Sequence, residues 1–470
     1  MTPFIGRDKE LQRAQDDLDR VRQRSMGIFL ALRGRRQVGK SRLMEEFIKR
    51  AGAKAVFYVA SRQDADRELE AFRRAIATSP TEAATIAQAG PLGSWEAAFA
   101  LLASEATANE PIVIVIDEFP YLAHSHPPIE AILQKVWDRT LEHRPVLLIL
   151  VGSDLSMMEA LTSYDRPLYG RPEERVISPL SPYEIAQMLA LDPADALDAY
   201  LVLGGFPRLA SRWHRGDDLW RFLKRVLSDP ESSLIVLGER MLTAEFPADL
   251  KAQAIVQAIG SGERGFTRIQ RLAGVSGRTL DTSLVRLEKH KRVIVKMLPY
   301  SATPRPKLSR YTVADPYLRF WLRFLEGQLT TVQRARGDVV LARIKASWND
   351  YRARAIEPII RTAIERQLPD ARFGEALFVG GFWNRDNSVE VDLVGGTGRD
   401  HTDTVSFIGS TKWRDSRDFG RNDFAYLAEQ RGKVPGTTGD TRLVGVSRNG
   451  FDVEGLDVQL TAADIVEAYA

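Results

Sequence analysis

The sequence predicts an α/β fold with a parallel sheet at its N-terminal end, and three observations carry that reading. Four short apolar runs, residues 28–32, 55–60, 112–116 and 146–151, each have the length of a buried strand and are separated by helix-compatible sequence. A glycine-bearing loop, Gly34-Arg35-Arg36-Gln37-Val38-Gly39-Lys40-Ser41, lies between the first run and a helical segment at 42–50. The third run ends in the paired acids Asp117-Glu118. Strands alternating with helices argue for a parallel sheet covered on both faces.

The chain has 470 residues, about three domains at roughly 150 residues each. Its 44% apolar and 27% charged residues are ordinary globular composition and exclude wholesale disorder. With 0 cysteines, disulfides, zinc knuckles and thiolate nucleophiles are excluded. The apolar runs are far too short to span a bilayer, and Met1-Thr2-Pro3-Phe4-Ile5-Gly6-Arg7 has no secretory apolar region. A soluble, cytoplasmic protein is expected, with no membrane partner. The net charge of +3 hides an asymmetry: residues 264–323 hold 14 Lys or Arg against 3 Asp or Glu, an excess of +11 that leaves −8 elsewhere. A basic block of that size suggests a polyanion partner, unless it is a solvated charged face.

The loop satisfies G-x-x-x-x-G-K-[ST] in the strand–loop–helix context that the motif requires. Glycines at its ends let the backbone wrap a triphosphate with successive N–H groups aimed at the oxygens, and the helix N-terminus adds partial positive charge. Residues 34–42, closing with Arg42, are therefore expected to bind ATP, with Lys40 on the β/γ-phosphates and Ser41 on Mg2+. Asp117 is the second expected magnesium residue, and Glu118 is placed to polarise the attacking water. After the fourth run, Ser153 either touches the γ-phosphate region or caps the next helix. Arg171 either stabilises transition-state charge or is a surface arginine.

Phe4-Ile5-Gly6-Arg7-Asp8-Lys9-Glu10-Leu11 resembles the box that opens the archaeal-type ATPases, relatives of the STAND and origin-recognition AAA+ proteins. The resemblance continues through the phosphate loop, Asp117 to Leu122, Val151-Gly152-Ser153-Asp154, Leu168-Tyr169-Gly170-Arg171 and Gly204-Gly205-Phe206-Pro207-Arg208. It implies that Phe4, Ile5, Gly6 and Arg7 lie against the adenine, and that Pro207 belongs to a sensor turn in a helical lid. Arg310-Tyr311-Thr312-Val313-Ala314-Asp315-Pro316-Tyr317-Leu318-Arg319-Phe320-Trp321 is similar to the signature joining these ATPases to a C-terminal domain of uncharacterised function.

The predicted order is an ATPase core at 1–178, a helical lid at 179–245, a winged helix at 246–325 and an α/β restriction-endonuclease-like domain at 326–470. In the winged helix, residues 266–273 form the first helix of the pair, 274–277 the turn with Ser276 as cap, and 278–290 the recognition helix. Leu280, Leu284 and Leu287 make that helix's apolar face. Strands at 293–298 and 307–313 flank Pro304 and Pro306 as the wing. Arg278, Arg286, Lys289 and Lys291 on the recognition helix, with Lys296, Arg305 and Lys307 on the wing, suit duplex DNA phosphates. The competing role for this element is protein contact.

From about Trp348 the pattern resembles a PD-(D/E)XK nuclease fold: Glu357 on a helix, a hairpin at 382–394 whose second strand ends in alternating acids, and a strand at 405–413. Asp392 and Lys412 stand where the resemblance implies an active site, but Ser410 replaces the second acid, and a hydroxyl is a poor magnesium ligand. Either the domain is inactive, or Glu390, two residues before Asp392 on the same strand face, supplies the missing charge. The expected protein is thus a Mg2+-dependent ATPase acting on DNA, with a homo-oligomer or protein partner also open. The alternatives are a STAND-type switch binding only proteins and an ATP-gated metal-dependent nuclease.

Overall fold

The computed structural model describes residues 4–153, 155–246, 249–303 and 305–470, so Met1 to Pro3, Asp154 and Pro304, quoted above, lie outside it. The chain divides into two compact units: Met1–Pro179 with Phe206–Arg208, and Leu180–Gly205 with Leu209–Ala470. The first takes in the expected core at 1–178. Nearly all of the segments expected at 179–245, 246–325 and 326–470 lie in the second.

The first unit holds five strands, β1 (Ile28–Arg33), β2 (Lys54–Val59), β3 (Ile112–Asp117), β4 (Val146–Gly152) and β5 (Glu173–Val176), in the order β2-β3-β4-β1-β5. Every pairing is parallel. β3 and β4 are buried along their whole length, as their unbroken Val, Ile and Leu content requires. The four expected strands are all present. β5 was not expected, because Glu173-Glu174-Arg175-Val176 has no apolar face; an edge strand pairs through its backbone on one side and leaves polar side chains in water. β4 separates β1 from β3, so the phosphate loop and the paired acids stand on strands that do not touch.

The second unit begins with helices. Pro182–Leu189 starts at a capping box between Ser181 and Glu184, and Pro193–Leu203, Leu219–Leu227 and Ser233–Glu245 follow. Leu250–Gly260 and Phe266–Ala273 lead into Gly277–Val285, whose cap Ser276 accepts from Thr279 N as expected. The expected recognition helix ends its α-helical part at Val285 and closes as a π-turn over Arg286–His290. Leu280, Leu284 and Leu287 are buried. β6 (Ile294–Met297) and β7 (Arg310–Val313) form an antiparallel ribbon shorter than the expected strands. The signature segment forms the helix Pro316–Phe324, capped by Asp315. It is fastened to the helix Ser233–Glu245: Trp321 Nε1 donates to Ile235 O, and the Tyr317 hydroxyl donates to Leu234 O, each at 2.8 Å. Gly238 has no Cβ because one would lie 2.2 Å from the Trp321 ring.

After the helices Gly337–Ala355 and Glu357–Gln367 comes a mixed sheet ordered β14-β12-β10-β9-β8. β8 (Phe378–Trp383), β9 (Glu390–Gly396) and β10 (Val405–Lys412) are antiparallel neighbours; β12 (Arg442–Ser447) and β14 (Val458–Thr461) run parallel to β10. β11 (Phe419–Gly420) and β13 (Phe451–Asp452) make a separate short pair. One expectation is corrected: the acids Glu390 and Asp392 open the second hairpin strand rather than ending it. Leu393, Val394, Gly395 and Gly396 carry the ladder onward, and Gly395 leaves room for the Phe407 ring.

Candidate active site

The phosphate loop leaves β1 at Arg33 and enters the helix Lys40–Ala51. Gly34 runs so close to the chain that a Cβ would lie 2.4 Å from Ile177 O. Gln37 and Gly39 have positive φ, at 66° and 90°, which turns the loop back on itself. Lys40 is 5% exposed, and its Nζ donates to Gly34 O at 2.7 Å, Arg35 O at 3.1 Å and Ser153 Oγ at 3.1 Å. Burial lowers its pKa to about 8, while Glu118 and Asp117 pull the other way. The loop is thus closed around its own lysine, which lies among backbone acceptors at the place where phosphate oxygens are expected.

Ser41 Oγ donates to Asp117 Oδ2, bringing the two expected magnesium residues into direct contact. Burial raises the Asp117 carboxyl above its ordinary range, partly offset by Ser41 and by the Glu118 amide, which donates at 2.8 Å. Glu118 follows β3 in the left-handed region, φ 53°, a conformation that costs a non-glycine residue about 1 kcal/mol or more and persists where surrounding contacts hold it. Its carbonyl accepts from Tyr121 N at 2.8 Å, and its carboxylate Oε1 accepts from Ser153 Oγ at 2.6 Å. Ser153 therefore links the loop lysine to the acid. These five residues form one connected set, and Pro207 lies beside it, 3.6 Å from where a Gly39 Cβ would stand.

Arg7 is buried at 4% exposure; it donates to Val38 O at 3.0 Å and Ser178 O at 2.6 Å, tying the N-terminal box to the loop. Phe4 lies under the Arg50 guanidinium, 5.8 Å from its ring centroid. Gly6 has φ 75°, and Arg42 is an exposed residue 3.6 Å from Glu45. Arg171 is not brought to the loop: it makes a bidentate pair with Asp138 at 2.8 Å and donates to Pro167 O and Tyr169 O. Tyr121 was missed at the sequence level. Arg36 Nη2 donates to its hydroxyl at 2.6 Å, and the Arg62 guanidinium stacks 4.2 Å from its ring centroid. Its only signal was its place four residues after Asp117.

In the second unit the basic candidates separate. Arg286 pairs with Asp249 at 2.9 Å and Lys291 lies 3.8 Å from Glu245. Arg278, Lys289, Lys296 and Lys307 are exposed and have no ion pair among the described residues. The segment between β6 and β7 packs on the mixed sheet rather than standing free: Tyr300 N donates to Gly381 O at 2.8 Å and Ala302 N to Pro435 O at 3.0 Å. Arg305 accordingly lies over the Phe382 ring. Two further cations of the basic block, Arg264 and Arg319, are half-buried, and desolvation pushes both pKa values down.

The nuclease-like candidates meet in part: Asp392 contacts Ser410, and Arg361 bonds to both Glu357 and the Asp392 carbonyl. Asp392 Oδ2 accepts from Thr411 N at 2.8 Å and Ser410 Oγ at 3.2 Å. Glu357 lies on a helix as expected, as its first residue, and is paired with Arg361 at 2.9 Å; burial raises its pKa, partly offset by that arginine. Lys412 faces Asp423 at 3.9 Å. Glu390 is paired at the surface: its carboxylate accepts from Arg310 Nη1 at 2.6 Å. No cluster of three or more His, Asp or Glu able to hold a metal occurs among the described residues. No helix among them is long and apolar enough to cross a membrane.

Residues 4–209 match an ATPase domain found predominantly in Archaea, and residues 321–422 match archaeal and bacterial proteins of unknown function. An uncharacterized protein of Methanocaldococcus jannaschii is 25% identical over 422 residues, covering 88% of each chain. The Walker-type ATPase of Pyrococcus abyssi has a TM-score of 0.50 at 18% identity, over 68% of this chain and 96% of that one. The ORC2 protein of Aeropyrum pernix has 0.46 at 14%, over 74% and 97%. The likeness to the P. abyssi structure is a likeness of fold.

Proposed function

We propose that the protein, whose residues 4–209 match an ATPase domain found predominantly in Archaea and whose residues 321–422 match proteins of unknown function, hydrolyses ATP with Mg2+ and uses nucleotide state to control its second unit on duplex DNA. The observation that carries the hydrolytic reading is the connected set Lys40–Ser153–Glu118 beside Ser41–Asp117. The residues fit the cofactor: Gly34 has no room for a side chain, Gly39 turns the loop at φ 90°, and the Ser41 hydroxyl and Asp117 carboxylate adjoin. Ser41 and Asp117 would hold the magnesium, which when bound draws charge off the phosphate oxygens. Lys40, already desolvated, neutralises phosphate charge in its place among the loop carbonyls. Glu118 accepts a proton from the attacking water, and Ser153 orients it. Replacing Glu118 by Gln tests this: ATP should still bind while hydrolysis stops.

The second unit reads as a winged helix joined to a degenerate PD-(D/E)XK-like domain. Support comes from the antiparallel–parallel strand pattern around β10 and from Ser410 in the place of an acid. With Glu390 held by Arg310, the inactive reading is favoured over a migrated ligand. DNA contact would fall to Arg278, Lys289, Lys296 and Lys307, tested by gel shift across a salt series with and without ATP. A second reading, a protein-binding switch, has its own support: Leu272 and Val285 on the helix-turn-helix are 60% and 45% exposed. Salt-insensitive behaviour with no shift would select it.

A further inference from the structure

The loop that follows β2 takes no part in the reading above. β2 ends beside the acids: Val59 is in register with Asp117, and Ala60 N donates to Asp117 O at 3.0 Å. Glu68, a carboxylate with 0% exposure, then ties the loop down. It accepts from Ser61 N at 3.0 Å, from Gln63 N at 2.7 Å and from the Tyr58 hydroxyl. Between the two held amides stands Arg62, with φ 60°. A left-handed arginine is uncommon, and such residues gather at ligand clamps and switch regions. Its guanidinium lies 4.2 Å from the Tyr121 ring centroid.

Tyr121 holds a second guanidinium by its hydroxyl, which accepts from Arg36 Nη2 at 2.6 Å. Arg36 follows Arg35, whose carbonyl receives Lys40 Nζ at 3.1 Å, and its charge is felt at Lys40, where it opposes the pull of Glu118 and Asp117. The loops after β1, β2 and β3 thus meet at one tyrosine, at the carboxyl ends of parallel strands, where open α/β sheets bind their ligands. Both arginines are exposed, and neither makes an ion pair among the described residues. Two like charges gathered on one side chain repel, so the arrangement gains when an anion joins it.

We propose that Arg36 and Arg62, positioned by Tyr121, recognise the terminal phosphate of ATP and so let the protein discriminate triphosphate from diphosphate before any hydrolysis. This rests on the ATP reading above. Lys40 and the loop amides serve ATP and ADP alike through the phosphates that the two share. The arginine pair stands on the Glu118 side of the loop, since Tyr121 N donates to Glu118 O at 2.8 Å, and that is the side of the phosphate which water attacks. Guanidinium forks match phosphate oxygens two at a time. Tyr121 is a positioning residue: its ring carries one fork and its hydroxyl the other.

Calorimetry on the full chain with Mg2+, using ADP and the non-hydrolysable β,γ-imido analogue of ATP, tests the proposal. Arg62→Gln should weaken binding of the analogue about tenfold or more and that of ADP less than about twofold. Arg36→Gln should shift the two affinities in the same unequal way. Tyr121→Phe keeps the ring under Arg62 and removes the acceptor for Arg36, so it should weaken the analogue about threefold and leave ADP binding unchanged. Retained ADP affinity shows that each variant is folded with its phosphate loop intact. The proposal is overturned if Arg62→Gln keeps its affinity for the analogue within about twofold, or loses analogue and ADP equally. Either result leaves the ATP reading standing, because binding of both nucleotides by the wild type tests that reading separately; a wild type that bound neither would overturn both.

Discussion

Replacing Lys40 by methionine separates the two things its ammonium does. In the nucleotide-free protein its pKa falls from 10.5 to about 8, a destabilisation of about 3 kcal/mol at roughly 1.4 kcal/mol per unit. Methionine is uncharged and similar in length, so it removes that cost. It also removes the donor shared by Gly34 O, Arg35 O and Ser153 Oγ, hydrogen bonds with a net contribution of about 1 kcal/mol each. The effects nearly cancel, so without nucleotide the variant should melt within about 4 °C of wild type. With Mg-ATP at a hundred times Kd, wild type should gain about 2.7 kcal/mol, an upward shift of about 5–10 °C for a unit of this size. The variant should gain nothing, because it lacks the cation that donates to Gly34 O and Arg35 O, where the phosphates are expected. Differential scanning fluorimetry with and without Mg-ATP reads both effects. A full ATP shift in the variant, or a loss of more than about 10 °C without nucleotide, would refute the reasoning.

Glu118→Gln should keep ATP affinity within about threefold and lower turnover about 10²–10⁴-fold; joint loss of binding and turnover would remove Glu118 from its assigned role. The Lys40 proton is held only to about pH 8 in the free protein and phosphate charge would raise that pKa, so ATP binding should take up a proton and weaken as pH rises past it. Calorimetry at about pH 8.5 in two buffers of different ionisation enthalpy measures the uptake; equal heats would contradict it. Ser153→Ala should lower turnover more than ATP affinity, since it removes the donor that orients the Glu118 carboxylate; equal losses in both would point to a phosphate contact instead. The Arg278→Glu, Lys289→Glu pair should abolish the DNA gel shift and leave ATPase activity intact, whereas an unchanged shift would move the contact elsewhere.

The parallel core, the phosphate loop and the two acids after β3 were legible in the sequence because their signals are local. An unbroken apolar run can only be a buried strand or helix, and the loop chemistry depends on eight consecutive residues. Ser276 as a cap and the buried Leu280, Leu284 and Leu287 were legible for the same reason. What tertiary structure alone decided is pairing between distant charges and the placing of polar backbone. The acid that holds Arg171 is Asp138, and the cation that holds Glu390 is Arg310, 80 residues away. β5 is a strand only because the edge of β1 offers it a ladder. Arg352 meets Asp198 across 154 residues of chain, and no spacing in the sequence marks either of them. Coulomb and hydrogen-bond energies depend on distance through space, and only packing of the apolar cores sets that distance.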